Sequence, residues 1–221
     1  MAGFKIGIVP VTPFEQNCTL IWDPAGGTGV VIDPGGDVPR IESAIERAGF
    51  RVTDLWLTHG HLDHVGGAAE LAANLNAKRP ESQDPIRIIG PERQDEPLCA
   101  SIAMQGKMFG VPGLQDVTPD HWLTEGETVR VGPYVFDVLH CPGHTPGHVV
   151  YLCKAARFAQ VGDVLFQNSV GRTDFPYGDH EALINAITTK LLPLGDDVHF
   201  VCGHGPSSTI GAERKNNPFL R

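Results

Sequence analysis

The residues with the clearest capacity for chemistry stand in one run, Thr58-His59-Gly60-His61-Leu62-Asp63-His64, where an apolar strand gives way to a helix. In extended backbone, residues i and i+2 project to the same side, so His59 and His61 can reach one metal ion together. As the chain turns into the helix, Asp63 and His64 are redirected to a second point. Gly60 lets the backbone pack closely, and Gly66-Gly67 does the same behind the run. Neutral imidazole and carboxylate suit zinc, iron or manganese. The pattern H-x-H-x-D-H arises by chance in about one chain in a thousand of this size and composition.

Three more residues fall where strands should end. His144 lies in Cys141-Pro142-Gly143-His144-Thr145-Pro146-Gly147-His148, Asp163 in Val161-Gly162-Asp163, and His204 in Cys202-Gly203-His204-Gly205-Pro206. Each is flanked by Gly or Pro, as expected of a loop that presents one side chain from a rigid edge. The set then numbers seven, which suits two divalent metal ions. Two such ions sharing a water lower its pKa toward 7 and supply hydroxide for attack on a carbonyl. Among the other histidines, His148 reads as a satisfied core residue, and His121, His140, His180 and His199 lack a ligand context. Cys141 and Cys202 read as small buried side chains.

These residues need elements to position them. Phe4–Val9, Cys18–Trp22 and Val30–Ile32 are short, apolar and β-branched, with turn chemistry at Asp23–Gly29 and again at 33–36. A helix is expected from the Asp37 N-cap to the Gly49 stop, with Val38, Ile41 and Ile45 on one face. A strand at Leu55–Leu57, a helix over about 64–76, a strand at Ile86–Ile89 and a helical segment over 92–109 follow. The second half repeats the order, with strands at Val129–Val131, Tyr134–Leu139, Val149–Cys153 and Phe158–Val161. Asp179 then caps a helix bearing Leu183, Ala186, Ile187 and Leu191 on one face, and a last strand covers Val198–Cys202. Two similar α/β halves, each a sheet with helices on one side, predict a four-layer α/β/β/α sandwich. No composition break marks a linker, so residues 1–221 are expected to form one domain.

Bulk properties narrow the function classes. The 221 residues are enough for a sizeable core. A net charge of -9 argues against nucleic acid as a partner. The five cysteines are unclustered, which fits a reducing compartment. Neither a leader nor a membrane-spanning run is evident, so a cytoplasmic protein without membrane contact is expected.

The seven-residue set resembles that of the metallo-β-lactamase-fold hydrolase superfamily, and the likeness extends from Asn17-Cys18 and Asp33-Pro34-Gly35 nearly to the end. Gly171-Arg172-Thr173-Asp174-Phe175-Pro176 and Glu213-Arg214-Lys215-Asn216-Asn217-Pro218-Phe219-Leu220 resemble the small bacterial glyoxalase-II-like subgroup. The resemblance implies that His59, His61 and His144 hold a first metal. Asp63, His64 and His204 would hold a second, with Asp163 bridging; zinc is expected ahead of iron or manganese. It also implies hydrolysis of a small thioester such as S-lactoylglutathione; the free oxygen of Asp63 is expected to orient the attacking hydroxide. Glyoxalase II enzymes continue into a helical glutathione-binding domain, and this chain ends at Arg221 before one, so weak or broad thioesterase activity is expected. A mononuclear-iron persulfide dioxygenase shares the fold, using His59, His144 and Asp163. A lactonase and a non-enzymatic metal-binding protein are further readings. Arg172 either pairs with Asp174 or grips a substrate carboxylate, and Arg214 and Lys215 pose the same choice.

Overall fold

The computed structural model describes residues 3–221; Met1 and Ala2, part of the expected 1–221 unit, lie outside the described residues. The first sheet holds β1 (Lys5–Val11), β2 (Gln16–Asp23), β3 (Thr28–Ile32), β4 (Arg51–Trp56), β5 (Arg87–Glu92) and β6 (His121–Leu123), in that spatial order. Strands β1 to β3 form an antiparallel meander, and β3 to β6 are parallel. The second sheet comprises β7 (Thr128–Val131), β8 (Tyr134–His140), β9 (Val149–Cys153), β10 (Phe158–Gly162), β13 (His199–Cys202) and β14 (Ser208–Thr209). A small hairpin of β11 (Leu165–Phe166) and β12 (Ser169–Val170) stands apart. In the second sheet β7 to β10 are antiparallel, and β10 then pairs in parallel with β13. Both halves thus run a meander and then a helical crossover.

The helices are α1 (Val38–Ala48), α2 (Leu62–Val65), α3 (Ala68–Ala77), α4 (Glu96–Cys99), α5 (Ile102–Phe109), α6 (His180–Ala186) and α7 (Ile210–Asn216). Side-chain alternation along the strands dictates the layering. On β3, Val31 packs with Ile41, Ile45 and Leu71 of the helices, whereas Val30 and Ile32 face the other sheet. On β9, Val150 and Leu152 meet Leu183 and Ile187, whereas Val149, Tyr151 and Cys153 point inward. Between the sheets lies a third cluster built on Trp56, Phe136 and Tyr151. Three apolar layers between four layers of backbone make the expected α/β/β/α sandwich. Each buried Leu, Ile or Val contributes about 1.5–3 kcal/mol, so three filled layers dominate what holds the chain together.

Local expectations met the structure unevenly. Gly49 ends α1 in the left-handed region, and Asp179 caps α6 by accepting from Ala182 N–H. Asp37 sits at the α1 N-cap, but its own φ is 48° and its carboxylate accepts from Thr12 N–H instead. The helix expected over 64–76 is broken into α2 and α3 at Gly66-Gly67, where Gly67 N–H bonds Pro34 O. Segment 92–109 divides into a single turn, α4 and α5, because the Asp95 carboxylate is drawn inward and Pro97 lies near the start of α4.

Candidate metal centre

Carboxyl ends of strands gather the chemistry, as open α/β sheets generally do. The 57–61 loop after β4, the 141–148 loop after β8, Asp163 after β10 and Gly203-His204 after β13 meet at one edge of the sandwich. All seven residues singled out from the sequence come together there. His59 Nε2 lies 3.1 Å from His61 Nδ1, which lies 3.0 Å from His144 Nε2. Asp63 Oδ2 stands 3.2 Å from His204 Nε2 and 3.9 Å from His64 Nε2. Asp163 spans the two groups: Oδ1 is 3.4 Å from His64 Nε2, and Oδ2 is 3.5 Å and 3.6 Å from the Nε2 atoms of His144 and His204.

Each histidine has its other ring nitrogen engaged, which fixes ring orientation. His59 Nδ1 lies 3.0 Å from Thr58 Oγ1, whose hydroxyl donates to Asp33 Oδ2. His64 Nδ1 is 2.9 Å from the same Asp33 oxygen. His144 Nδ1 donates to Arg172 O, His204 Nδ1 to Phe14 O, and His61 Nε2 is 2.8 Å from Tyr177 Oη. His61 therefore presents Nδ1 while the other four present Nε2.

The donor set fits a cation. Burial, reinforced by the neighbouring imidazoles, pushes His59 and His61 well below the ordinary histidine value, leaving their lone pairs free. Burial also opposes charge on Asp63, but His64 and His204 outweigh it and hold the carboxyl well below the usual range. On His64, burial is overcome by Asp163, Asp63 and Asp33, which push it up to about 9. His64 Nε2 and Asp163 Oδ1 are buried and lack a hydrogen-bond partner, although buried polar atoms normally have one. Three donor groups, His59/His61/His144, His59/His64/Asp163 and Asp63/His64/His204, each lie within 4.8 Å.

Backbone fit is equally tight. A Cβ on Gly203 would collide with Asp163 Oδ1 and His64 Cε1, and one on Gly60 would lie 2.7 Å from Leu98 Cβ.

Supporting residues surround the donors, and of these the sequence reading weighed only His148. Asp33 is fully buried and accepts from Thr58 N–H and Thr58 Oγ1–H as well as facing His64. His148 is buried as expected, yet its Nε2 accepts the Asp163 N–H at 3.0 Å and its ring stacks on His59. Asp95 joins two ligand loops, accepting from Gly60 N–H (2.8 Å), Thr145 Oγ1–H (2.7 Å) and Gly147 N–H (2.6 Å). Only the Gly and Thr beside the histidines could have hinted at such a clasp.

Burial pushes Asp95 up to about 6, against the three hydrogen bonds that pull it down. An unfolded aspartate releases its proton at about 3.9. Between these values the folded state binds the extra proton. The group's contribution to stability is therefore full well below the unfolded value and lost as pH rises through 6. The stability difference between wild type and Asp95→Asn is expected to shift in favour of wild type by about 2 kcal/mol from pH 7 to pH 4. Denaturant unfolding across that range measures it, and a pH-independent difference would show that Asp95 does not titrate there.

Cys141 and Cys202 are buried, and burial pushes both thiols up to about 12. Cys202 Sγ–H donates to His204 O, so it braces that loop. Arg172 forms a two-pronged pair with Asp174 at 2.7 Å on each arm and stands 4.5 Å over the Phe175 ring, although it also lines the groove above the donors. Arg214 pairs with Asp196, and neither it nor Lys215 lines that groove.

Residues 11–204 match the Metallo-beta-lactamase superfamily model, and the chain belongs to that family. Among curated proteins it is 45% identical to the hydroxyacylglutathione hydrolase GloC of Haemophilus influenzae, over 98% of each chain. Among solved structures it is similar to the BLEG-1 B3 metallo-beta-lactamase, with TM-score 0.86, 31% identity and coverage of 98% and 99%. The di-iron-bound form of TTHA1623 gives TM-score 0.84 and 32% identity, with coverage of 97% and 100%. Family and donor cluster together make this chain a metal-dependent hydrolase acting on a small molecule. No helix among the described residues is long and apolar enough to cross a membrane.

Proposed function

We propose that the chain is a cytoplasmic, single-domain thioester hydrolase using two divalent metals, zinc first among them. S-lactoylglutathione is the substrate to try first. The observation that carries this reading is the meeting of a three-histidine set and an Asp-His-His set at one carboxylate, Asp163. His59, His61 and His144 would hold one ion, Asp63, His64 and His204 the other, and Asp163 both. Bound there, the ions supply Lewis acidity and a water activated at neutral pH.

The chain's own groups do the rest. Asp63, kept ionised by its histidine neighbours, turns one oxygen to His204 and leaves the other to orient the attacking water. Burial pushes Tyr177 up to about 12, so the phenol keeps its proton. Its oxygen accepts from His61 Nε2–H, which leaves the O–H to donate toward charge developing on the substrate. A thiolate departs without needing a proton, which suits a site where Asp63 has none to give.

Metal analysis of the protein as isolated, followed by a panel of thioester, lactone and persulfide substrates, tests the reading. Two metals per chain are expected, with thioester turnover lost on chelation and restored by metal. One iron per chain with oxygen consumption on the persulfide would overturn it.

A further inference from the structure

The groove above the donors is larger and more apolar than a lactoyl group requires. It encloses about 790 Å³ and runs without interruption from His61, Asp63 and His204 to a wall of Phe14, Leu98, Met108, Phe109 and Phe166. That volume is typical of sites that bury a ligand of twenty or more heavy atoms. Phe14 and Phe109 meet edge to face at 6.3 Å. The same Phe14 accepts from His204 through its carbonyl, so the apolar wall and the metal-proximal loop share one residue.

Exposure singles this wall out. Phe14 is 40% exposed, Phe109 56% and Met108 74%. Three of the seven large apolar side chains left exposed among the described residues thus line this one groove. The charges point the same way. Apart from histidine, the one basic side chain lining the groove among the described residues is Arg172, and Asp174 already occupies its guanidinium. A ligand with carboxylates at its far end gains no free cation here, whereas an apolar substituent gains a wall to cover. Methionine at the rim can repack around substituents of different shape.

We infer that this wall is a subsite for an extended apolar substituent on the scissile thioester, an aliphatic or aryl group of about six to ten carbons. The inference rests on the thioester-hydrolase reading and narrows its substrate class. Continuity with the donors favours a substrate over a second copy of the chain, since an occupant of the wall has its reacting end at the metals.

The test uses the metal-loaded enzyme and acyl thioesters of one thiol from acetyl to octanoyl, together with alkyl thioesters of one acyl group over the same lengths. In at least one series kcat/KM is expected to rise about two- to fourfold per methylene. The Met108→Ser/Phe109→Ser variant is expected to flatten that slope. Titration calorimetry with methyl and octyl thioethers of the same thiol reads binding without turnover, and the octyl compound is expected to bind at least about 30-fold tighter. Tighter octyl binding with no thioester hydrolysis would retain the subsite and remove the proposed reaction. Flat series with equal thioether affinities would overturn the subsite. So would a dimer in light scattering that the double variant converts to monomer, because the wall would then belong to a second copy.

Discussion

Replacing Asp163 by asparagine is expected to lower hydrolysis by about 10³-fold and to leave the purified protein with one metal or fewer per chain. The carboxylate approaches donors of both sets, at 3.4 Å from His64 and at 3.5 Å and 3.6 Å from His144 and His204. Asparagine preserves its shape and retains the backbone N–H donated to His148, so the strand end should stay in place. What it removes is a negative charge facing two cations, and with it an acceptor oxygen. Asp63→Asn provides the contrast. Asp63 serves the Asp-His-His set alone, so its loss should empty that set and leave His59, His61 and His144 loaded. Metal content and single-turnover rates of the two variants separate the roles. Two tightly bound metals in Asp163→Asn, with a rate within tenfold of wild type, would refute the bridging assignment.

The seven donors were legible because their signals are local. His59 and His61 sit two apart on extended backbone, Asp63 and His64 follow at once in the helix, and His144, Asp163 and His204 sit in turns with Gly or Pro neighbours after apolar strands. The layers were legible for a related reason: alternation along β3 and β9 assigns each residue to one of two faces. Legibility ended where a residue's job is set by a distant part of the chain. Asp37 has the type and place of an N-cap, yet the N–H it satisfies belongs to Thr12. Asp95 sits in a stretch that alternates like a helix, and its real partners are the loops at Gly60 and Thr145. Tyr177 is an ordinary loop tyrosine until the fold brings His61 to it across 116 positions. Very short elements such as β11, β12 and β14 carry too few residues for any periodicity, and their pairing is decided by the sheets around them.

Asp33 shows how much of the centre depends on such distant partners, and it carries the second large expectation. Its Oδ1 accepts from Thr58 N–H, and its Oδ2 faces both Thr58 Oγ1 and His64 Nδ1. Asp33 accepts at all of these points, so when a metal displaces the Nε2 proton, His64 keeps its remaining proton on Nδ1 and turns a bare Nε2 to the ion. In Asp33→Asn one of the two positions becomes an NH₂. Placed at Oδ1, it opposes the Thr58 N–H, which cannot reverse. Placed at Oδ2, it lets Thr58 Oγ1 turn and accept, but it requires His64 Nδ1 to accept as well. The His64 proton then moves to Nε2, where it blocks the lone pair and donates to Asp163 Oδ1 instead. The second metal is therefore expected to bind about 10–100-fold more weakly, the range found when a partner of a metal-bound histidine is lost. The three-histidine set should be affected less, because Thr58 can still accept from His59. Chelator competition measures the affinities, and long-range ¹H–¹⁵N imidazole spectra of the metal-free protein, recorded at a pH above about 9 where His64 is neutral, read its tautomer directly. Unchanged affinity together with an Nδ1-protonated His64 in the variant would show that Asp33 packs the site without setting its protons. Loss of metal with the tautomer unchanged would place its effect in ring orientation.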